Sequence, residues 1–235
     1  TPILSIDAST QSVYHFSDTD KNISLLDISE TFGTYDGSFV LYDNNLDSWK
    51  IYDLEEATKR IPPESTYKIY DALLGLESGI ITPEHSSMTW NGDAFPFPSW
   101  EADQDLNSAM QNSVNWYFQA IDSQLGINRV QEFLNKIEYG NQTTSSNLDL
   151  YWSDFSLKIS PLEQVTLLKK FNTNEFHLNF QNVFSVKNAI KIASTPNGNF
   201  YGKTGTGRVN GQDINGWFIG FIEKPDRTCY FAVNI

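Results

Sequence analysis

The chain has 235 residues, 40% of them hydrophobic and 19% charged, enough apolar material to bury a substantial core as one compact domain or as two lobes sharing a core. Its 6 Trp, 11 Tyr and 16 Phe exclude a disordered chain and suit a packed interior or a ring-lined cleft. A formal net charge of −13, with no run of Lys and Arg to reverse it locally, repels phosphate backbones, so nucleic acid is not an expected partner.

The beginning, Thr1-Pro2-Ile3, lacks the charged and apolar regions of a signal peptide, and no stretch approaches the ~20 apolar residues that cross a bilayer. The expectation is a soluble piece, with a mature secreted protein and a soluble portion of a membrane protein both open. From Thr1 to about Thr34 no period is sustained. Gly37 to Asp43 then reads as a strand, Asn44-Asn45-Leu46-Asp47 as a turn and Trp49-Lys50-Ile51-Tyr52 as the returning strand. Pro62-Pro63 ends the extended segment. Helical spacing runs from Ser65 to Ser78 through Ile69, Leu73 and Leu76, with Gly79 as the stop. Helices are predicted over Leu106 to Ala120, Asn128 to Ile137 and Pro161 to Phe171, with Tyr139 to Asn147 as loop, and a last one over Val183 to Ala193. Phe200 to Thr206, Gly216 to Ile222 and Cys229 to Ile235 read as strands, and the apolar run around Cys229 predicts a core position for that lone cysteine. Strands at both ends with helices between them predict an α+β chain whose sheet is left and rejoined.

Three segments carry candidate chemistry. Ser65-Thr66-Tyr67-Lys68 is the one S-x-x-K in the chain. At a spacing of three the Lys68 amine and the Ser65 hydroxyl share a helical face, so a neutral amine can take the serine proton, and a helix start favours negative charge on an attacked carbonyl. The same four residues equally suit an N-cap serine followed by a solvated lysine. Lys203-Thr204-Gly205 lies on a predicted strand, where Lys203 and Gly205 share a face, the lysine offering charge and the glycine room for a ligand. Ser113-Val114-Asn115, placed on a helix, is a weak pattern raised only by its order between the other two.

That order, Ser65-x-x-Lys68, Ser113-x-Asn115, Lys203-Thr204-Gly205, resembles the penicillin-recognising serine enzymes. With Tyr139-Gly140-Asn141, Trp152 followed by Ser156 to Pro161, and Gly216-Trp217-Phe218-Ile219-Gly220, the chain is similar to class D β-lactamases and closer still to BlaR/MecR-type sensor domains. The resemblance implies a serine β-lactamase-like α+β fold: an antiparallel sheet of N- and C-terminal strands flanked by helices, with a helical lobe inserted at about 80–170. It implies residues 1–36 as an extension and 37–235 as the penicillin-binding domain. It further implies Ser65 as nucleophile and Lys68 as base, with Lys68 able to carry a carbamate derived from carbon dioxide near Trp152. Ser113 would relay a proton, Lys203 and Thr204 would meet the ligand carboxylate, and the amides of Ser65 and Thr206 would form an oxyanion hole. The family loop motif at Tyr139-Gly140-Asn141 is assigned support rather than chemistry.

Asn115 divides the sensor from the enzyme. The sensors resemble this chain in having asparagine where class D enzymes have an apolar residue. An amide beside Lys68 competes for hydrogen bonds and admits water, which disfavours the carbamate once acylation is complete and lets an acyl adduct with a β-lactam antibiotic persist. The sensor reading implies an extracellular domain on the membrane of a Gram-positive bacterium, joined to a membrane-embedded receptor with a metalloprotease domain. A secreted class D β-lactamase is the alternative, and a cell-wall transpeptidase or carboxypeptidase and a non-catalytic binding domain stand behind it. His15, His85 and His177 are scattered and no H-E-x-x-H occurs, so neither a metal nor another cofactor is expected in this piece.

Overall fold

The computed structural model describes residues 22–235, and the readings that fall on residues 1–21, the chain start and His15 among them, lie outside it. Two elements too short to leave a periodic signature come first, β1 (Ile23–Leu25) and α1 (Ser29–Phe32). The expected hairpin follows as β2 (Ser38–Asp43) and β3 (Ser48–Tyr52), its alternation burying Ser38, Val40 and Tyr42 on one face of β2. Asp53 caps α2 (Leu54–Thr58) by accepting from the Glu56 amide at 3.1 Å. After Pro62-Pro63 the chain makes a 3-10 turn, Glu64–Tyr67, and continues as α3 (Lys68–Glu77). All residues from Lys68 to Leu76 are buried, so α3 runs through the interior and not along a surface. Gly79, at φ +72°, stops it, and its amide reaches the Leu76 carbonyl at 3.1 Å.

The segment read as one helix from Leu106 to Ala120 is two, α4 (Leu106–Gln111) and α5 (Asn115–Leu125). Ser113 therefore sits in a turn and not on a helix, with φ at +53°, and the Trp100 indole donates to the Asn112 carbonyl at 2.9 Å just before the break. A tertiary contact thus overrides the local pattern. Next come α6 (Ile127–Ile137) and α7 (Pro161–Asn172), the latter opened by a reciprocal Ser160/Glu163 capping box. The last helix, α8 (Phe180–Ala189), ends four residues before the predicted stop, and Lys191–Thr195 forms β4 instead. All five β4 residues are exposed, and such an edge strand shows none of the alternation by which a strand is recognised.

The remaining strands are β5 (Gly198–Val209), β6 (Gln212–Lys224) and β7 (Arg227–Asn234). Together the strands make one seven-stranded sheet in the order β1-β3-β2-β7-β6-β5-β4. The N-terminal hairpin joins the C-terminal strands where β2 pairs antiparallel with β7, Val40 opposite Ala232. The sheet is mixed and not purely antiparallel, because β1 lies parallel to β3. Helix α7 packs across β2, β6 and β7, while α3 contacts α4, α5 and α8. Cys229 is half-buried on β7, short of the core position expected for it. Among the described residues no helix is long and apolar enough to cross a membrane.

Candidate active site

The turn that carries Ser65 is held from three sides. The Pro62 carbonyl accepts from Asn215 Nδ2 at 2.9 Å and from Trp217 Nε1 at 2.8 Å, both on β6. The Glu64 amide donates to the Trp152 carbonyl at 3.0 Å. Thr66 Oγ1 donates to the Pro63 carbonyl at 2.6 Å and accepts from Gln164 Nε2 of α7 at 2.8 Å. Glu64 itself is left-handed, at φ +52°, a conformation that a non-glycine residue keeps only where its surroundings enforce it. Strand β5 closes the fourth side. A Cβ on Gly205 would stand 3.1 Å from the Pro63 oxygen and 3.2 Å from the Ser65 nitrogen. The glycine thus makes room for the serine's own turn, and not for a ligand as expected from the strand pattern.

Lys68, 1% exposed, is the centre of the arrangement. Its Nζ donates to Ser65 Oγ at 3.1 Å and to Asn115 Oδ1 at 2.7 Å. The rings of Trp152 and Phe118 flank it, their centroids 5.4 and 5.6 Å away. Burial, with Lys203 adding repulsion, lowers its pKa to about 7, so near neutral pH half of this amine is free to accept a proton. The amine and the hydroxyl of the S-x-x-K segment thus lie within hydrogen-bond reach, as its spacing predicts.

Ser113 and Lys203 form a second pair: Lys203 Nζ donates to Ser113 Oγ in a very short contact and to the Thr204 carbonyl at 3.0 Å. Burial lowers the Lys203 pKa to about 8, leaving it mostly cationic at neutral pH. Thr204 and Thr206 alternate with Lys203 and Gly205, and their side chains stand exposed on the opposite face of β5. Because the β4–β5 register ends at Tyr201 and the Gly202 amide bonds to Ile190, among the described residues β5 has no second strand neighbour from Lys203 onward. That edge offers backbone groups to a ligand in the manner of an added strand.

Tyr139-Gly140-Asn141 acts as a clamp. Asn141 Nδ2 donates to the Ser156 carbonyl at 2.7 Å, its Oδ1 accepts from the Lys158 amide at 2.9 Å, and Tyr139 meets the Tyr67 ring edge-on at 5.2 Å. Gly140, at φ +48°, lies so close to the Lys158 carbonyl that a Cβ would overlap it. The loop thereby fixes the segment following Trp152.

Sequence reasoning missed five participants. Phe118 lies three residues after Asn115 on α5, a spacing that could have identified it as Lys68's neighbour. Asn215, which clamps Pro62, carries no local signal. Glu64 is 6% exposed, and burial pushes its carboxyl up to about 7. Asp71 and Asp122 are sealed in the α3–α5 interface. Among the described residues no group of three His, Cys, Asp or Glu side chains is placed to hold a metal ion.

Residues 37–235 match the family described as penicillin binding protein transpeptidase domain. The chain is 46% identical over 216 residues to the regulatory protein BlaR1 of Bacillus licheniformis, covering 91% of this chain and 36% of that protein. It spans about a third of the length of the BlaR1 and mecR1 regulatory proteins it matches. The solved C-terminal domain of the Bacillus licheniformis BlaR penicillin-receptor superposes with a TM-score of 0.88 at 46% identity, over 91% of this chain and 87% of that one. A class D β-lactamase from Bacillus subtilis superposes with a TM-score of 0.84 at 34% identity, over 89% and 87%. The fold is the α+β serine β-lactamase-like fold.

Proposed function

The chain belongs to the penicillin-binding protein transpeptidase domain family, and from that premise we propose that it is a β-lactam sensor domain, acylated on Ser65 and built to stay acylated. The observation that carries this reading is the shared lysine: one buried amine bonded at once to the Ser65 hydroxyl and to the Asn115 side chain.

In the proposed reaction Ser65 Oγ attacks the lactam carbonyl while its proton passes to neutral Lys68 Nζ. The carbonyl carbon gains the serine ester bond and loses its bond to the lactam nitrogen. Lys68 returns its proton through Ser113 to that nitrogen, so the base ends neutral. Lys203, with Thr204, meets the ligand carboxylate, and the amides of Ser65 and Thr206 take the developing oxyanion. Hydrolysis would then need a base to activate water. In this reading the asparagine holds Lys68 as a simple amine, disfavours its carbamate and leaves the ester without that base. No other cofactor is invoked.

The adduct would serve as the signal of a longer regulatory receptor. The similarity to BlaR1 and to the BlaR penicillin-receptor supports a domain facing the outside of a Gram-positive cell, attached to a membrane-embedded part with a metalloprotease domain. The competing reading, a secreted class D β-lactamase, is favoured by the likeness to the Bacillus subtilis enzyme. Intact-mass measurement after brief and long exposure to benzylpenicillin separates them. A stoichiometric adduct that persists, and that is absent in Ser65→Ala, is expected; steady consumption of the drug with no lasting adduct would replace the sensor by the enzyme.

A further inference from the structure

Behind Lys68, the interface of α3 and α5 holds two acids that the proposed acylation does not use. Asp71 lies one turn beyond Lys68 on α3, and Asp122 lies two turns beyond Asn115 on α5, past Phe118. Both side chains are 0% exposed. Among the described residues no donor reaches either oxygen of Asp71, and Asp122 receives one long contact, from Tyr151 Oη at 3.4 Å. What Asp71 meets is the carboxyl of Asp122. Ionised carboxyls only accept hydrogen bonds, so that contact needs a proton on one of the two.

The groups around this pair are few. Tyr67, Tyr117 and Tyr151 present phenols that burial keeps neutral, Asp149 adds negative potential on Asp122, and Lys68 is the cation in reach. Lys68 in turn faces Glu64 and Lys203. Burial holds both aspartates well above the usual carboxylate range. A proton on Lys68 favours ionisation of one acid, and a neutral Lys68 favours a fully protonated pair, so the three groups titrate as a unit.

We propose that Asp71 and Asp122 are positioning residues acting through Lys68, a buried counter-charge that holds the lysine as amine or ammonium and against becoming an anionic carbamate. This rests on the reading of Ser65 as the acylated nucleophile with Lys68 as its base. Carbamate formation joins Lys68 Nζ to the carbon of carbon dioxide, moves one C–O π pair onto oxygen and releases one proton from Nζ to solvent. The product is an anion where a cation can stand now. It would forfeit the attraction between the ammonium and an ionised acid, and would stand beside Glu64 and carboxyls that must then stay protonated, against a single nearby cation, Lys203, already bonded to Ser113. The pair therefore works with Asn115 to keep the ester from being hydrolysed.

Asp71→Asn, Asp122→Asn and the double variant test this in the present chain, with folding checked by circular dichroism. Each is incubated with 13C-bicarbonate and read by 13C NMR, and the lifetime of the benzylpenicillin adduct is followed by mass with and without bicarbonate. The double variant is expected to gain a carbamate resonance absent from the parent and to lose its adduct at least tenfold faster, in bicarbonate only. The single variants are expected to shift the pH midpoint of Ser65 acylation downward. A merely structural role moves melting temperature but none of these. Folded variants with no carbamate resonance, an unchanged adduct lifetime and an unchanged midpoint overturn the proposal; if only the singles fold, their midpoint and resonance decide alone. Should benzylpenicillin fail to label the parent, the proposed function falls, while the carbamate resonance still judges the carboxyl pair.

Discussion

In the proposed acylation, a single amine shared between a hydroxyl and an amide makes Lys68 the residue on which the chemistry turns. As a base it must be neutral, and its pKa is lowered to about 7; as a cation Lys203 must keep its proton, and its pKa is lowered to about 8. The acylation rate with benzylpenicillin is therefore expected to rise with pH through about 7 and to fall above about 8, a narrow bell measurable by stopped-flow labelling. A rate that stays level from pH 6 to 9 would remove Lys68 from the base's role. Asn115 contributes a hydrogen bond at 2.7 Å to this amine, and bonds to a charged group are worth about 1.5–3 kcal/mol. Asn115→Val withdraws it and leaves Lys68 among Phe118, Trp152 and the new methyls. Turnover in bicarbonate is expected, with the acyl adduct shortened about tenfold or more; an adduct as durable as the parent's would show that the asparagine does not control deacylation.

At the scale of elements, the spacings that carry chemistry were readable because they are local. One turn of helix relates Ser65 to Lys68, and the chain order of the three segments suffices to nominate Ser113 and Lys203. What was hidden comes from contacts distant in sequence. Trp100 breaks the helical pattern at Asn112, β4 is an exposed edge without alternation, and Asn215 reaches Pro62 across 153 positions. Gly205 shows the limit most clearly: its presence on a strand was plain, but the reason, the turn lying against it, is tertiary. Gly205→Val should leave β5 extended, since valine suits a strand, yet its Cβ would press on Pro63 and Ser65. Misplacing a nucleophile by about 1 Å costs on the order of 100-fold, so Ser65 labelling is expected to slow by that order in a chain that remains folded. Labelling at the parent's rate would mean that β5 does not position the serine.

For the whole molecule, the concentration of buried ionisable groups around one helix start makes stability depend on pH in a way the surface charge does not set. The sequence shows an acidic chain and no hint that Glu64, Asp71 and Asp122 are the acids taken out of water, because burial is a property of the assembled fold. Glu64 illustrates the consequence. Its carboxyl is raised from the ordinary 4.5 to about 7, by burial first and against the pull of Lys68 and Asn215. A raised pKa means that the folded chain binds the proton more tightly than the unfolded one. Its contribution to stability is thus fully present below about pH 4.5, falls as pH rises and is gone by about 7, where the folded chain must bury the charge. Each unit corresponds to about 1.4 kcal/mol, and discounting for solvent screening leaves a loss on the order of 2 kcal/mol over that window. Glu64→Gln keeps the shape of the side chain and cannot ionise, so it serves as the reference from which every titration except that of Lys68, which faces Glu64, cancels. The parent's melting temperature is expected to drop relative to the variant's between pH 4.5 and 7 and to run parallel to it below pH 4. A difference that stays constant from pH 4 to 8 would show that Glu64 reaches solvent when charged, and that the turn carrying Ser65 is looser than its clamped carbonyls and left-handed Glu64 imply.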